Sequence, residues 1–77
     1  MSSETVGIGT TLRRFRKINK LSQKELARRL YVSPTLISQI ETGIVYSPEI
    51  ELLQSICDVF GTTLGDFIRV YLARDEV

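Results

Sequence analysis

Helix-starting signals recur at short intervals along this chain and restrict its fold more than any other feature. Each signal is a hydroxyl side chain that can cap a helix. The four signals are Ser22, Ser33, Ser47 and Thr63. Pro34 and Pro48 follow two of them, and proline is favoured at the first helical position because no N–H is needed there. Ser22 stands three residues before Glu25, which is the spacing of a capping box. Since no useful stretch alternates as a strand does, the chain is predicted to be all-α.

Apolar residues between these signals recur at helical spacing and predict five helices. Ile8, Leu12 and Phe15 form such a face in the first helix, and Ile50 is expected to be buried in the fourth. The predicted helices cover residues 9–18, 22–30, 34–42, 48–60 and 64–72. Gly43 and Gly61 can end the third and fourth in the left-handed conformation. Connections this short force the helices to pack, and the second and third form a helix–turn–helix.

Length and cysteine usage restrict the class of protein. The chain has 77 residues, the size of one domain, and we predict a flexible leader at 1–7, a domain at 8–74 and a tail at 75–77. One cysteine and no histidine allow neither an internal disulfide nor a Cys/His zinc site, and Cys57 is expected to be buried. No apolar run approaches the ~18 residues of a membrane span. We therefore expect a cytoplasmic protein without metal, cofactor or membrane partner.

Charge is distributed unevenly although the net charge is only +1. Residues 1–40 hold eight Lys and Arg against two Glu, a net +6, whereas residues 41–77 hold two Arg against seven acidic residues, a net −5. Such an asymmetry indicates a polyanion as a partner of the first half. The alternative from charge alone is a chance clustering of solvated side chains.

The third predicted helix carries an uncharged polar face. When Ile37 and Ile40 point toward the core, four short neutral side chains point away from it. These are Thr35, Ser38, Gln39 and Thr42. Neutral donors and acceptors suit the edges of base pairs, whereas Arg and Lys suit phosphates. A merely soluble helix face is the alternative, and Leu36 could either press on a thymine methyl group or belong to the edge of the core.

The segments "LSQKELARRLYVSPTLISQIETG" and "SPEIELLQSICDVFGTTLGDF" resemble the Cro/phage-repressor helix–turn–helix family, also called XRE-type. The resemblance covers about residues 8–68. It implies a compact, five-helix, lambda-repressor-like domain whose third helix enters the major groove of double-stranded DNA. It further implies a homodimer on a roughly palindromic operator, and a transcriptional regulator that acts as a repressor.

Site residues follow from the resemblance and from the polar face together. Base-reading candidates are Pro34, Thr35, Leu36, Ser38 and Gln39. Phosphate-contacting candidates are Gln23, Lys24, Arg28, Thr42 and Gly43. The resemblance also implies a largely buried salt bridge between Arg16 and Glu41. We expect Arg29 to lie farther from phosphates than Arg28.

Three departures from the family pattern are visible. Lys20 and Tyr31 stand where the family commonly has glycine, and we expect the turns to adjust, with Asn19 absorbing one of the strained conformations. Pro34 replaces a frequent polar base reader and cannot donate or accept through its side chain. The loop "GIVYSP" is one residue longer than usual and apolar.

Two apolar segments are candidates for a dimer surface. They are Ile44, Val45 and Tyr46 in the loop, and Val70, Tyr71 and Leu72 in the last helix. The loop residues could instead pack inward on the fourth helix.

Other functional classes remain open at this stage. The fold also occurs in protein-interaction modules, such as antitoxins and bridging co-regulators, and as the N-terminal DNA-binding domain of longer sensor-regulators. An enzyme is not expected, because the chain has no histidine, no phosphate-cradling glycine loop and no carboxylate pair at a plausible pocket.

Overall fold

The computed structural model describes residues 8–73, and these residues form five α-helices without a strand. The helices are α1 (Gly9–Ile18), α2 (Gln23–Leu30), α3 (Pro34–Thr42), α4 (Ile50–Phe60) and α5 (Leu64–Ala73). The prediction of an all-α, five-helix domain with a helix–turn–helix is therefore confirmed. The predicted leader at 1–7, the predicted tail at 75–77 and residue 74 lie outside the described residues.

Three of the four predicted capping side chains accept a hydrogen bond from the N–H three residues ahead. Ser22 accepts from Glu25 at 2.9 Å, Ser33 from Leu36 at 3.1 Å, and Thr63 from Asp66 at 3.0 Å. Each bond satisfies an N–H that has no partner inside its helix. Gly43 (φ 91°) and Gly61 (φ 71°) end α3 and α4 in the left-handed conformation, as predicted.

The predicted start of α4 is wrong by two residues. Glu49 is extended (φ −62°, ψ 149°) and caps α4 without a side-chain hydrogen bond, so Ser47 and Pro48 lie in the loop. The loop folds back first, because the N–H of Val45 donates to the carbonyl of Gln39 at 3.0 Å. The following residues are then needed to reach the start of α4. Ile50 is consequently the first residue of α4 and is 60% exposed, so the prediction that it is buried is wrong.

Both non-glycine turn sites hold the left-handed conformation themselves. Lys20 has φ 58° and Tyr31 has φ 61°, whereas Asn19 keeps an ordinary φ of −86°, so the expected adjustment at Asn19 is wrong. The physical reason is the hydrogen bonding of the two turns. In each turn, one N–H reaches back five residues and the preceding N–H reaches back three, which is the Schellman pattern. That pattern requires a left-handed residue whatever its side chain.

All five helices contribute to one core. Its buried apolar residues are Leu12, Leu26, Ala27, Ile37, Ile40, Leu53, Ile56, Cys57 and Phe67. Phe15 links three helices, since its ring centroid lies 5.7 Å from that of Phe60 and 5.1 Å from that of Phe67. Cys57 is a free thiol, and burial raises its pKa, with a smaller contribution from the charge of Asp58. It therefore behaves as a small apolar core residue, as predicted.

Candidate nucleic-acid interface

The outer face of α3 carries no accessible charge. Pro34, Thr35 and Thr42 are exposed, and Ser38 and Gln39 are partly exposed. Ile37 and Ile40 on the opposite side are 0% and 1% exposed. The single charged residue of α3 is Glu41, whose side chain is only 3% exposed. The helix thus presents neutral donors and acceptors to the outside.

Two of the predicted contact residues on α3 are already engaged within the protein. Leu36 is partly buried and packs against the core, which favours its interpretation as a core-edge residue. The hydroxyl of Thr42 donates to the carbonyl of Ser38 at 2.9 Å. Because a hydroxyl has one hydrogen and phosphate oxygens accept only, Thr42 must give up that bond before it can donate to a phosphate.

Arg16 and Glu41 form a buried, two-pronged ion pair between α1 and α3. The Arg16 Nε donates to Glu41 Oε2 at 2.6 Å, and Nη2 donates to Oε1 at 3.1 Å. The third guanidinium nitrogen, Nη1, donates to the carbonyl of Leu21 at 2.8 Å. The Gln23 Nε2 donates to Glu41 Oε1 at 3.0 Å, so the first residue of α2 joins the same cluster. Three helices therefore meet at the Glu41 carboxylate.

Gly9 lets the start of α1 lie directly against the end of α3. A Cβ atom at this position would be 2.1 Å from the Ile40 carbonyl oxygen and 2.8 Å from the Cα of Glu41. This role of Gly9 was not predicted from the sequence. Gly9 is the first residue of the predicted helix, where glycine costs less than in a helix interior, so the sequence carried only a weak signal of this close approach. Gly9 and the ion pair together place α3 against α1.

Basic side chains of α2 border the start of α3. Lys24 and Arg28, one helical turn apart, line a groove of about 410 Å³ together with Glu25, Ala27, Val32 and Pro34. Arg28 is paired with Glu25, and Arg29 Nε lies 3.4 Å from the same carboxylate. The Arg28 hydrogen bond and charge hold the pKa of Glu25 below its ordinary value, helped by Arg29. The Arg28 side chain is 70% exposed in spite of this pairing.

Further basic residues lie on α1 and in the turn after it. Arg13 is three residues before Arg16, so the two share one side of α1, whereas Lys20 lies in the turn that follows the helix. Arg14 is two residues from Arg16 and points to another side. Arg13, Arg14 and Lys20 are exposed. Cationic side chains of α2 thus border the start of α3, and α1 with its following turn adds further exposed cations to the molecule.

The dimer candidates separate into inward and outward residues. Val45 is partly buried and packs on the core, whereas Ile44 is 74% exposed. Tyr46 is exposed, and Leu72 is also exposed at the end of α5. Val70 and Tyr71 are partly buried. The alternative that the loop residues pack inward therefore holds for Val45, whereas Ile44 and Tyr46 lie on the surface.

Within residues 8–73, no three His, Cys, Asp or Glu side chains are grouped so as to hold a metal ion. None of the five helices in that range is long and apolar enough to cross a membrane.

The chain is similar to several known proteins. The helix-turn-helix family model matches residues 12–67. The clp gene regulator ClgR from C. glutamicum is 33% identical in one crystal structure, with 83% of this chain and 82% of that chain covered and a TM-score of 0.74. A second crystal structure of that regulator gives 28% identity, coverage of 94% and 83%, and a TM-score of 0.75.

An enzyme structure contains a similar domain. Hydroxypropylphosphonic acid epoxidase from S. wedmorenis is 25% identical, with 82% of this chain but only 33% of the epoxidase covered, at a TM-score of 0.73. The comparison with curated proteins finds no match.

Proposed function

Because the chain belongs to the Cro/C1-type helix-turn-helix family, we propose that it is a sequence-specific transcriptional repressor that binds double-stranded DNA as a dimer. The observation that carries the proposal is the contrast at α3. Its outer face is neutral, its single charge is buried in an ion pair, and its borders are basic. This arrangement suits a helix that reads base edges through neutral side chains while its cationic neighbours contact phosphates.

The proposed base readers divide by chemistry. Gln39 can bind an adenine edge through both ends of its amide, while Ser38 and Thr35 can donate to or accept from either base of a pair. Pro34 has no side-chain donor, so it offers only apolar contact, and Leu36 can reach a thymine methyl group only from the edge of the core. Specificity should therefore depend most on Gln39.

The proposed phosphate contacts surround that helix. Lys24 and Arg28 supply charge, and Gln23 supplies an amide donor at the start of α2. Releasing Arg28 from Glu25 costs little, because the pair is exposed. At the end of α3, Thr42 and Gly43 complete the set, with Thr42 exchanging its bond to Ser38 for one to DNA.

A dimer is proposed because one recognition helix reads too few base pairs to select a site in a genome. The exposed residues Ile44, Tyr46 and Leu72 are the candidates for its surface, with Val70 and Tyr71 beside them. Half-sites would then lie one helical turn apart, about 34 Å, on a roughly palindromic operator. A regulator of this kind acts in the cytoplasm, where bacterial DNA lies.

A protein-interaction module is the second candidate. The observation in its favour is the exposure of two large apolar residues, Ile44 and Ile50, of which Ile50 stands between the exposed acidic residues Glu49 and Glu51. The similarity to one third of the epoxidase chain is also what would be expected if this fold serves as one part of longer proteins, including longer sensor-regulators.

Electrophoretic mobility and footprinting with the DNA upstream of the protein's own reading frame separate these candidates. A dimeric repressor should retard that DNA and protect two half-sites about one turn apart. A protein that retards no duplex but co-purifies with another protein would show that the interaction module is the correct interpretation. If sedimentation shows a monomer both in the free protein and on a DNA site without two-fold symmetry, the proposed dimer is wrong.

A further inference from the structure

We propose that Glu41 is a positioning residue that holds the side-chain amide of Gln23 in the orientation needed to donate to a DNA phosphate. This inference rests on the proposed function and adds to it a residue that does not itself reach DNA. The Glu41 side chain is 3% exposed, so neither solvent nor a phosphate can approach its carboxylate freely. Gln23 is partly exposed, and its side-chain amide donates to that carboxylate.

The Glu41 carboxylate is held rigidly before any ligand arrives. Its Oε2 accepts from Arg16 Nε at 2.6 Å, and its Oε1 accepts from Arg16 Nη2 at 3.1 Å. Arg16 in turn is fixed by the bond from Nη1 to the Leu21 carbonyl at 2.8 Å. A two-pronged, charge-assisted pair of this kind has little rotational freedom. Oε1 therefore offers a fixed acceptor to the Gln23 amide, 3.0 Å away.

Donor and acceptor chemistry then decides which end of the amide points outward. An ionised carboxylate only accepts, so it must face the Nε2 of Gln23, not the amide oxygen. Nε2 carries two hydrogens, and one is used on Glu41. The second hydrogen is left for another acceptor, and phosphate oxygens are acceptors. Without Glu41 the amide could equally turn its oxygen toward the phosphate and repel it.

The charge of the cluster suits an anionic neighbour. Arg16 neutralises Glu41, so a phosphate beside Gln23 meets an oriented dipole backed by a neutral ion pair. The orientation is established in the free protein, so binding needs less ordering of this side chain.

The test is a double-mutant cycle on DNA affinity. Gln23→Ala is made in the wild-type protein and in an Arg16→Met/Glu41→Leu background, since an apolar pair often replaces a buried ion pair without loss of stability. The probe is a duplex of mixed sequence at low salt concentration. Gln23→Ala should weaken binding about tenfold in the wild-type protein, as expected for a hydrogen bond to a charged group, and less than about twofold in the apolar background.

Salt dependence separates this role from that of a charged contact. Gln23 carries no charge, so Gln23→Ala should leave the slope of log affinity against log salt unchanged. The control Lys24→Ala should lower that slope by about one. A loss of slope in Gln23→Ala would mean that the variant disturbs the whole interface, and it would overturn the positioning role.

A second measurement needs only the wild-type protein without DNA. Gln54 on α4 provides an exposed control amide. Hydrogen exchange followed by NMR should show slower exchange at the Gln23 side-chain nitrogen than at that of Gln54. Equal exchange rates, or an equal cost of Gln23→Ala in both backgrounds, overturn the inference while leaving the proposed function intact. A wild-type protein that binds no duplex overturns the proposed function, and the inference falls with it.

Discussion

Two arginine–glutamate pairs of the same chemistry lie in opposite environments in this molecule. Arg16 and Glu41 join α1 to α3 with side chains that are 11% and 3% exposed. Arg28 and Glu25 lie one turn apart on α2, with exposures of 70% and 34%. The first pair lies where three helices meet, whereas the second lies at the surface and borders the proposed DNA interface.

The difference in burial predicts a difference in role. Removing one partner of the buried pair leaves an uncompensated charge away from water, which is costly. An exposed pair contributes about 0–1 kcal/mol and is screened by salt. We therefore infer that the buried pair sets the position of α3, while the exposed pair keeps a cation available for the proposed phosphate contact.

Arg16→Ala should have the largest effect on stability. It should lower the free energy of unfolding by about 3–5 kcal/mol, because Glu41 is then buried without its partner. That is a large share of the stability of so small a domain. Denaturant melts measure the loss.

Two variants control for this result. Arg14→Ala, on another side of α1, should change stability by less than about 0.5 kcal/mol. Arg16→Met/Glu41→Leu should recover much of the loss, since an apolar pair needs no desolvation of charge. Equal midpoints for Arg14→Ala and Arg16→Ala would show that the burial of the pair has no energetic meaning.

Gly9→Ala should cause the second-largest loss in the free energy of unfolding. Its Cβ atom would stand 2.1 Å from the Ile40 carbonyl oxygen, so α1 must move away from α3. We expect a loss of about 1–3 kcal/mol from overpacking, measured by thermal or urea unfolding. Gly65→Ala is the matched control, because its Cβ atom would meet nothing closer than the Thr63 hydroxyl at 3.9 Å. That variant should be neutral or slightly stabilising, and a similar loss in both would mean that helix propensity, not the close approach, governs Gly9.

Tyr31→Gly should raise stability, in contrast to changes at the buried pair. Tyr31 is 95% exposed and holds a left-handed φ of 61°, so its side chain contributes strain and little packing. Glycine removes that strain, which is worth ~1–2 kcal/mol. Because glycine also raises the entropy of the unfolded chain, the net increase in the free energy of unfolding should be about 1 kcal/mol. Tyr31→Ala keeps a Cβ atom and should gain much less. A loss of stability in Tyr31→Gly, seen in the same melts, would indicate packing by the ring.

Arg28→Ala should affect folding far less than Arg16→Ala does. We expect a change of no more than about 1 kcal/mol in unfolding, together with a fall of about one in the salt slope of DNA binding. Arg29→Ala should change neither quantity appreciably. If Arg28→Ala unfolds the protein as Arg16→Ala does, the contrast between the two pairs is lost.

Local structure was predicted well from the sequence where it depends only on residues within one helical turn. The caps at Ser22, Ser33 and Thr63 needed only neighbouring residues. The same pattern at Ser47-Pro48 gave the wrong start for α4, because the loop folds back onto α3 and uses those residues to return.

Contacts between residues far apart in the chain were harder to predict from the sequence. Arg16 and Glu41 are 25 positions apart, and their pairing was expected only from the family resemblance. The close approach at Gly9 and the bond from Gln23 to Glu41 depend on how three helices pack, which no short pattern contains.

The neutral face of α3 carries the central claim, and Gln39→Ala tests it most directly. Binding sites selected from random DNA by the wild-type protein and by Gln39→Ala are compared one base pair at a time. The proposed function predicts a loss of about 1–3 kcal/mol at one base pair in each half-site, with preferences elsewhere unchanged and the salt slope retained. If Gln39→Ala weakens binding to selected and random DNA equally, α3 does not read bases through this residue, and the proposed function is contradicted.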